Sequence, residues 1–170
     1  SIERKLKELV EVARGNDALA DKIHHFARRL IRARTLANTI DAVEASLRED
    51  FEAMNSVLVL FLPEVEELQG IEGRFLRLVA RDSGEMKTFE TFITAGKPRC
   101  GQIRDAQRDW LFGPNNIAIG SVALAPIGVN CRMGFLAIGS SDSERFQPTM
   151  STDYLARIGD HTNAALERFG

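Results

Sequence analysis

Cys100 and Cys131 are the only thiols among the 170 residues, and thiol chemistry is the first that the residue types offer. A reactive cysteine needs a thiolate, and redox turnover needs a second thiol near enough to recapture a sulfenic intermediate. The two stand in different segments, without metal-ligand spacing. They read as free thiols of a reducing compartment rather than a disulfide framework, and a cytoplasmic location is expected. His24 and His25 are adjacent on a helical stretch, so they point about 100 degrees apart and cannot share a metal on one face. Glu85, Asp105 and Asp109 are scattered singly, without the pairing that general acid–base work needs. His161 reads as a surface or interface residue. No metal site and no catalytic residue are expected, and the residues leave any cofactor unknown.

The elements that position these residues begin with a heptad. Ile2, Leu9, Asn16, Ile23 and Leu30 fall seven apart, and Val12, Leu19, Phe26, Ala33 and Ile40 fall at the offset of three. Both seams of a coiled coil are therefore filled, and the stripe faces one side for roughly 45 Å at 1.5 Å per residue. An obligate oligomer is expected, a homodimer or a four-helix arrangement. Its interface would use Ile2, Leu9, Val12, Asn16, Leu19, Ile23, Phe26 and Leu30. Asn16 at a core position either pairs with its own copy across a parallel dimer, fixing register, or acts as a local cap at the Gly15 break. Phase is kept on both sides of Gly15, which favours one continuous helix. Leu6, Ala13, Ala20 and Ala27 leave the flank apolar where a two-stranded zipper carries charge, so further helices are expected to cover it. Arg28, Arg29, Arg32 and Arg34, the one basic cluster, fall outside both seams and read as a solvated face.

A net charge of −2 gives no bulk attraction to nucleic acid or anionic membrane, and neither is expected as a partner. Apolar residues at 44% and charged residues at 27% fit an ordinary globular chain. No run approaches the roughly 18 apolar residues of a membrane span, and the amino terminus lacks the order of a signal peptide. A chain that starts at Ser1, without methionine and already inside the heptad, is expected to be a fragment lacking its natural amino-terminal part.

From Thr39, a plausible N-cap, the stripe Leu36, Ile40, Val43, Leu47 and Phe51 predicts a second helix. Residues 56–62 form an apolar run closed by Pro63, a strand buried on both faces, and residues 64–73 an acidic loop. A second strand is expected over 74–81, and short helices over 85–95 and 104–112. Strands over 117–126 and 132–140 form a hairpin through Gly128-Val129-Asn130, and a helix runs from about Thr149 to Phe169. The small side chains of Ser121, Ala123 and Ala125 either let a helix pack close or leave room for a ligand.

The runs Ser121-Val-Ala-Leu-Ala-Pro-Ile127 and Gly134-Phe-Leu-Ala-Ile-Gly-Ser140, then Phe146 and the last helix, resemble the carboxyl half of GAF domains. Lys97-Pro-Arg-Cys-Gly101, Leu111-Phe-Gly113 and Gly139-Ser-Ser-Asp142 to Arg145-Phe146 are similar to the bacterial family catalogued as domain of unknown function 484. The resemblance covers nearly the whole chain. It implies an α/β fold (α+β) with a GAF-like antiparallel sheet flanked by helices over 38–170, preceded by a dimerising helix over 1–37. It also implies a roof of intermediate helices over one sheet face. That roof would carry Phe89, Phe92, Cys100, Gln102, Arg104, Trp110 and Phe112, with Ser121 lining the candidate pocket. Either a small molecule binds there, or the roof is a second small core.

The implied role is a non-enzymatic sensory or regulatory module acting on an unknown small molecule or protein partner. The alternative is a ligand-free dimerisation scaffold. GAF-fold reductases of free methionine sulfoxide share a Cys-Gly like Cys100-Gly101, but they carry another cysteine where this chain reads Asn115-Asn116-Ile117. Thiol-based reduction therefore ranks third.

Overall fold

The computed structural model describes residues 1–62, 66–68, 70–113, 118–148 and 152–169. Pro63 as a strand end, the start of the acidic loop, Asn115-Asn116-Ile117 and the helix start at Thr149 lie outside the described residues. So does the side chain of Val12.

Helix α1 (Ile2–Arg32) runs unbroken through Gly15, around which the space is open. The glycine costs only helix propensity, about 1 kcal/mol, and the surrounding helix formers carry it. Helix α2 (Leu36–Asp50) starts at Thr35, whose hydroxyl accepts from the Asn38 N–H at 3.0 Å. The expected cap at Thr39 is corrected. That residue lies one turn inside the helix, fully buried, and its hydroxyl donates to the Thr35 carbonyl at 2.8 Å.

The strands are β1 (Asn55–Leu60), β2 (Leu76–Leu78), β3 (Arg99–Gly101), β4 (Ser121–Ile127) and β5 (Gly134–Ser140). Between β2 and β3 lie a 3-10 turn (Gly84–Phe89) and helix α3 (Glu90–Ala95). Helix α4 (Asp105–Phe112) precedes β4, and α5 (Asp153–Glu167) follows β5. The sheet order is β2-β1-β5-β4-β3. Pairings β1/β5, β5/β4 and β4/β3 are antiparallel, as expected, but β2 runs parallel to β1 with Leu58 opposite Leu76. The sheet is therefore mixed; apolar alternation along a strand carries no information about direction. Strand β3 has no strand-like pattern of its own and forms through pairing with Val122, Ala123 and Leu124.

Two cores flank the sheet. On one face Leu58, Leu60, Ala123, Ala125, Leu136 and Ile138 meet the inward residues of α1, α2 and α5, while Val57, Val59, Val122, Leu124, Phe135 and Ala137 meet the roof. The strict alternation is that of strands buried on both sides. Of the two readings of the small residues on β4, close helix packing is the one observed. A Cβ on Gly159 of α5 would overlap the Pro126 carbonyl oxygen and touch the Ala125 methyl. Helix α5 thus lies almost directly on the strand backbone. Among the described residues no helix is long and apolar enough to cross a membrane.

Candidate functional site

The roof is built by the 3-10 turn, α3 and α4, and four of the expected residues meet there. Phe89 and Phe92 are buried to 0% and 1% exposure, and their ring centroids lie 5.1 and 5.4 Å from that of Phe135 on β5. Trp110 packs edge-on against Phe89 at 5.8 Å. Phe112 lies over β5 at Gly139, where an added Cβ would come within 2.9 Å of its ring. Met86, Ile93, Leu111 and Ile119 belong to the same core. The underside of the roof is thus occupied by the chain's own side chains.

Two polar latches hold the roof closed. Gln107, buried on α4, donates to the Thr88 carbonyl at 2.7 Å and accepts from the Arg104 N–H at 3.0 Å. Trp110 Nε1 donates to Glu85 at 2.8 Å, tying α4 to the 3-10 turn. A buried amide satisfied on both its oxygen and its nitrogen rigidifies what it joins. Sequence reasoning passed over Gln107; its place on the apolar side of a short helix was the available signal.

Cys100 is placed elsewhere, while Ser121 and Gln102 line an open cleft of about 280 Å³ beside the start of α4. Cys100 stands opposite Ala123 and shares its face, so the thiol belongs to the core beneath α5 rather than to the roof. The Ser121 hydroxyl donates to the Asp142 carbonyl at 2.6 Å and accepts from the Phe146 N–H at 3.3 Å, fixing the loop that leads to α5. The pleat is the reason: both residues have the parity of Ala123 and Ala125, which face the helices. Gln102 and Arg104 are exposed on the connection between β3 and α4.

Cys131 ends the turn between β4 and β5 and is buried in the roof-side core, so the two thiols lie in different cores. Burial raises the Cys100 thiol pKa. Burial also pushes Cys131 up to about 11, against a smaller lowering by Arg81. Both are held in the unreactive thiol form at neutral pH. Burial, with a lesser contribution from Cys100, likewise raises the Tyr154 hydroxyl to about 12.

The expected interface residues divide along α1. Ile23, Phe26 and Leu30 are at most 1% exposed in the core formed with α2 and α5, and Phe26 packs edge-on against Phe51 at 6.3 Å. Within the chain these three residues pack against α2 and α5. A heptad seam serves an intramolecular bundle as well as a zipper. Leu19 is half-buried at the edge of that core, while Asn16, Leu9 and Ile2 are exposed. On the polar side, Arg29 pairs with Glu49 at 2.8 Å and lowers the pKa of that carboxyl; His25 Nε2 lies 3.7 Å from Asp50.

The model of the family described as "Protein of unknown function, DUF484" matches residues 1–170. The chain belongs to the DUF484 family. A search among curated proteins finds no match. The match covers the long helix together with the sheet, so in DUF484 the two form one unit of sequence, in keeping with a core that α1 and the sheet share.

Proposed function

We propose that the chain is a non-enzymatic regulatory module that self-associates through the amino-terminal half of α1 and presents the domain behind it to a partner protein. The observation that carries this reading is an apolar stripe left exposed among the described residues. Ile2, Leu6, Leu9 and Val10 are 78%, 57%, 65% and 47% exposed, following a helical spacing of four, three and one. Beyond Leu19 the helix projects about 25 Å at 1.5 Å per residue. A helix of that length is marginal in water without tertiary support, and each large apolar side chain gains about 1.5–3 kcal/mol on burial.

A second copy of the same helix is the occupant the sequence fits. The stripe keeps heptad phase with Asn16, and residues 1–17 carry four acidic and four basic side chains, leaving no net charge to repel an identical neighbour. The filled underside of the roof favours this interaction-module reading over a ligand sensor working there. The separation and protonation of the two thiols favour it over thiol-based reduction. The resemblance to GAF domains supports a regulatory rather than a metabolic role.

Sedimentation equilibrium of the wild type and of a Leu6→Glu/Leu9→Glu double variant tests the proposal. The wild type is expected to sediment as a dimer or tetramer, and the variant as a monomer with an unchanged thermal transition of the domain. A monomeric wild type rejects the reading.

A further inference from the structure

At the edge of the roof, four segments of the chain enclose an open cleft of about 440 Å³. Arg48 comes from the last turn of α2, Arg74 from the approach to β2, and Arg77 from β2 itself, paired in parallel with Val59. The lining is mixed, with Asn55 and Ser56 beside apolar side chains. Val57, Phe75 and Leu111 are 2%, 8% and 1% exposed there, and Met54, 74% exposed, stands at the mouth. The turn that carries Met54 is tied down by Arg145, whose Nη2 donates to the Phe51 carbonyl at 2.8 Å.

Charge in the cleft is unbalanced. Glu44 is the one carboxylate lining it among the described residues. Arg48 has only a 4.0 Å contact with Glu49, a carboxylate already held by Arg29 at 2.8 Å. Neither Arg74 nor Arg77 has an ion pair among the described residues, and Arg77 is held in place by its guanidinium lying 5.3 Å from the Trp110 ring centroid. A guanidinium stacked on an aromatic ring keeps its donor edge free, and it has less rotamer freedom to lose on binding.

Among the described residues, three guanidinium groups against one carboxylate leave two positive charges beside a partly apolar lining, in a volume within the range of small-molecule sites. We propose that this cleft binds a small phosphate monoester whose organic part is apolar. The dianion takes charge-assisted hydrogen bonds from Arg74 and Arg77, with Arg48 adding charge, and the organic group rests on Phe75 and Leu111 beside Met54. The site shares Leu111 and Phe112 with the roof and does not depend on α1 self-association.

Calorimetric titration of the full chain with phenyl phosphate, inorganic phosphate and benzoate at constant ionic strength tests the assignment. Phenyl phosphate is expected to bind saturably, at least about tenfold more tightly than either inorganic phosphate or benzoate. Arg74→Gln, a change at an exposed position that leaves the core intact, and Arg77→Gln are each expected to weaken it by about tenfold or more. Arg28→Gln on the exposed face of α1 leaves binding unchanged. Absent or non-saturable binding, affinity equal in all variants, or benzoate or inorganic phosphate binding as tightly as phenyl phosphate overturns the proposal.

Discussion

Gly134→Ala is expected to lower the stability of the chain by about 3–5 kcal/mol, a large share of the roughly 5–15 kcal/mol typical of a folded domain. Two penalties meet at this residue. Its φ of +139° lies in a region that a side chain rarely adopts, and a Cβ there would overlap the Val59 carbonyl oxygen and approach Leu60 Cα at 3.0 Å. Both neighbours are main-chain atoms of β1, the strand that pairs directly with β5. They cannot rotate away as a side-chain tip can, so the sheet itself must part. Urea unfolding measures the loss, and Gly70→Ala provides the comparison. Gly70 also has a positive φ, +89°, but a Cβ added there would meet nothing within 4 Å. It should cost only the backbone strain, about 1 kcal/mol. Equal midpoints for the two variants would refute the close approach at Gly134.

Phe135→Ala is expected to cost about 3–5 kcal/mol, the usual loss for a buried aromatic ring cut to a methyl. Phe135 is fully buried and is the common neighbour of Phe61, Phe89 and Phe92, at 6.2, 5.1 and 5.4 Å between centroids. Those rings are attached to separate elements, so they cannot collapse together into the space left behind. The variant should therefore carry an apolar cavity. Benzene is expected to raise its thermal midpoint while leaving that of the wild type unchanged, since dry apolar cavities accept such probes. A wild type stabilised by benzene to the same extent would mean that the roof already holds a cavity, contrary to the packing of Phe89 and Phe92 on Phe135.

The two outcomes bear on how far the fold was legible in the residues. Continuity of α1 across Gly15 was legible because the seam kept phase on both sides, which a broken helix has no need to do. The start of α2 was not, because Thr35 and Thr39 are equally good caps in isolation. Tertiary burial of Leu36 decided between them. The parallel pairing of β2 and the existence of β3 lay beyond a pattern of side chains, since both arise from partners chosen elsewhere in the chain. The candidate site was legible as a cluster of aromatic residues, but composition cannot distinguish rings that line a pocket from rings that fill one.

Cys100 and Ser121 illustrate a different failure. Their parity along neighbouring strands would have placed them with Ala123 and Ala125, but only once the β3 strand and its register were known. Arg48 on one side and Arg74 and Arg77 on the other gave no signal, being contributed by two distant segments that only the folded chain brings together. The heptad was legible as far as Leu30, whereas α1 ends at Arg32, so that Ala33 and Ile40 leave its seam; its period is the same for a bundle within one chain and between two. The structure divides it: Ile23, Phe26 and Leu30 are consumed by the domain, and Ile2, Leu6 and Leu9 are left over.

What covers those leftover residues is the central question, and amide hydrogen exchange across α1 at two protein concentrations answers it most directly. Self-association predicts that amides of residues 5–14 are protected and that their protection rises with concentration, while amides from Ile23 to Leu30 remain protected at both. Fast exchange of residues 5–14 at every concentration, beside a protected domain, would show a helix end with no second copy on it and would contradict self-association through α1.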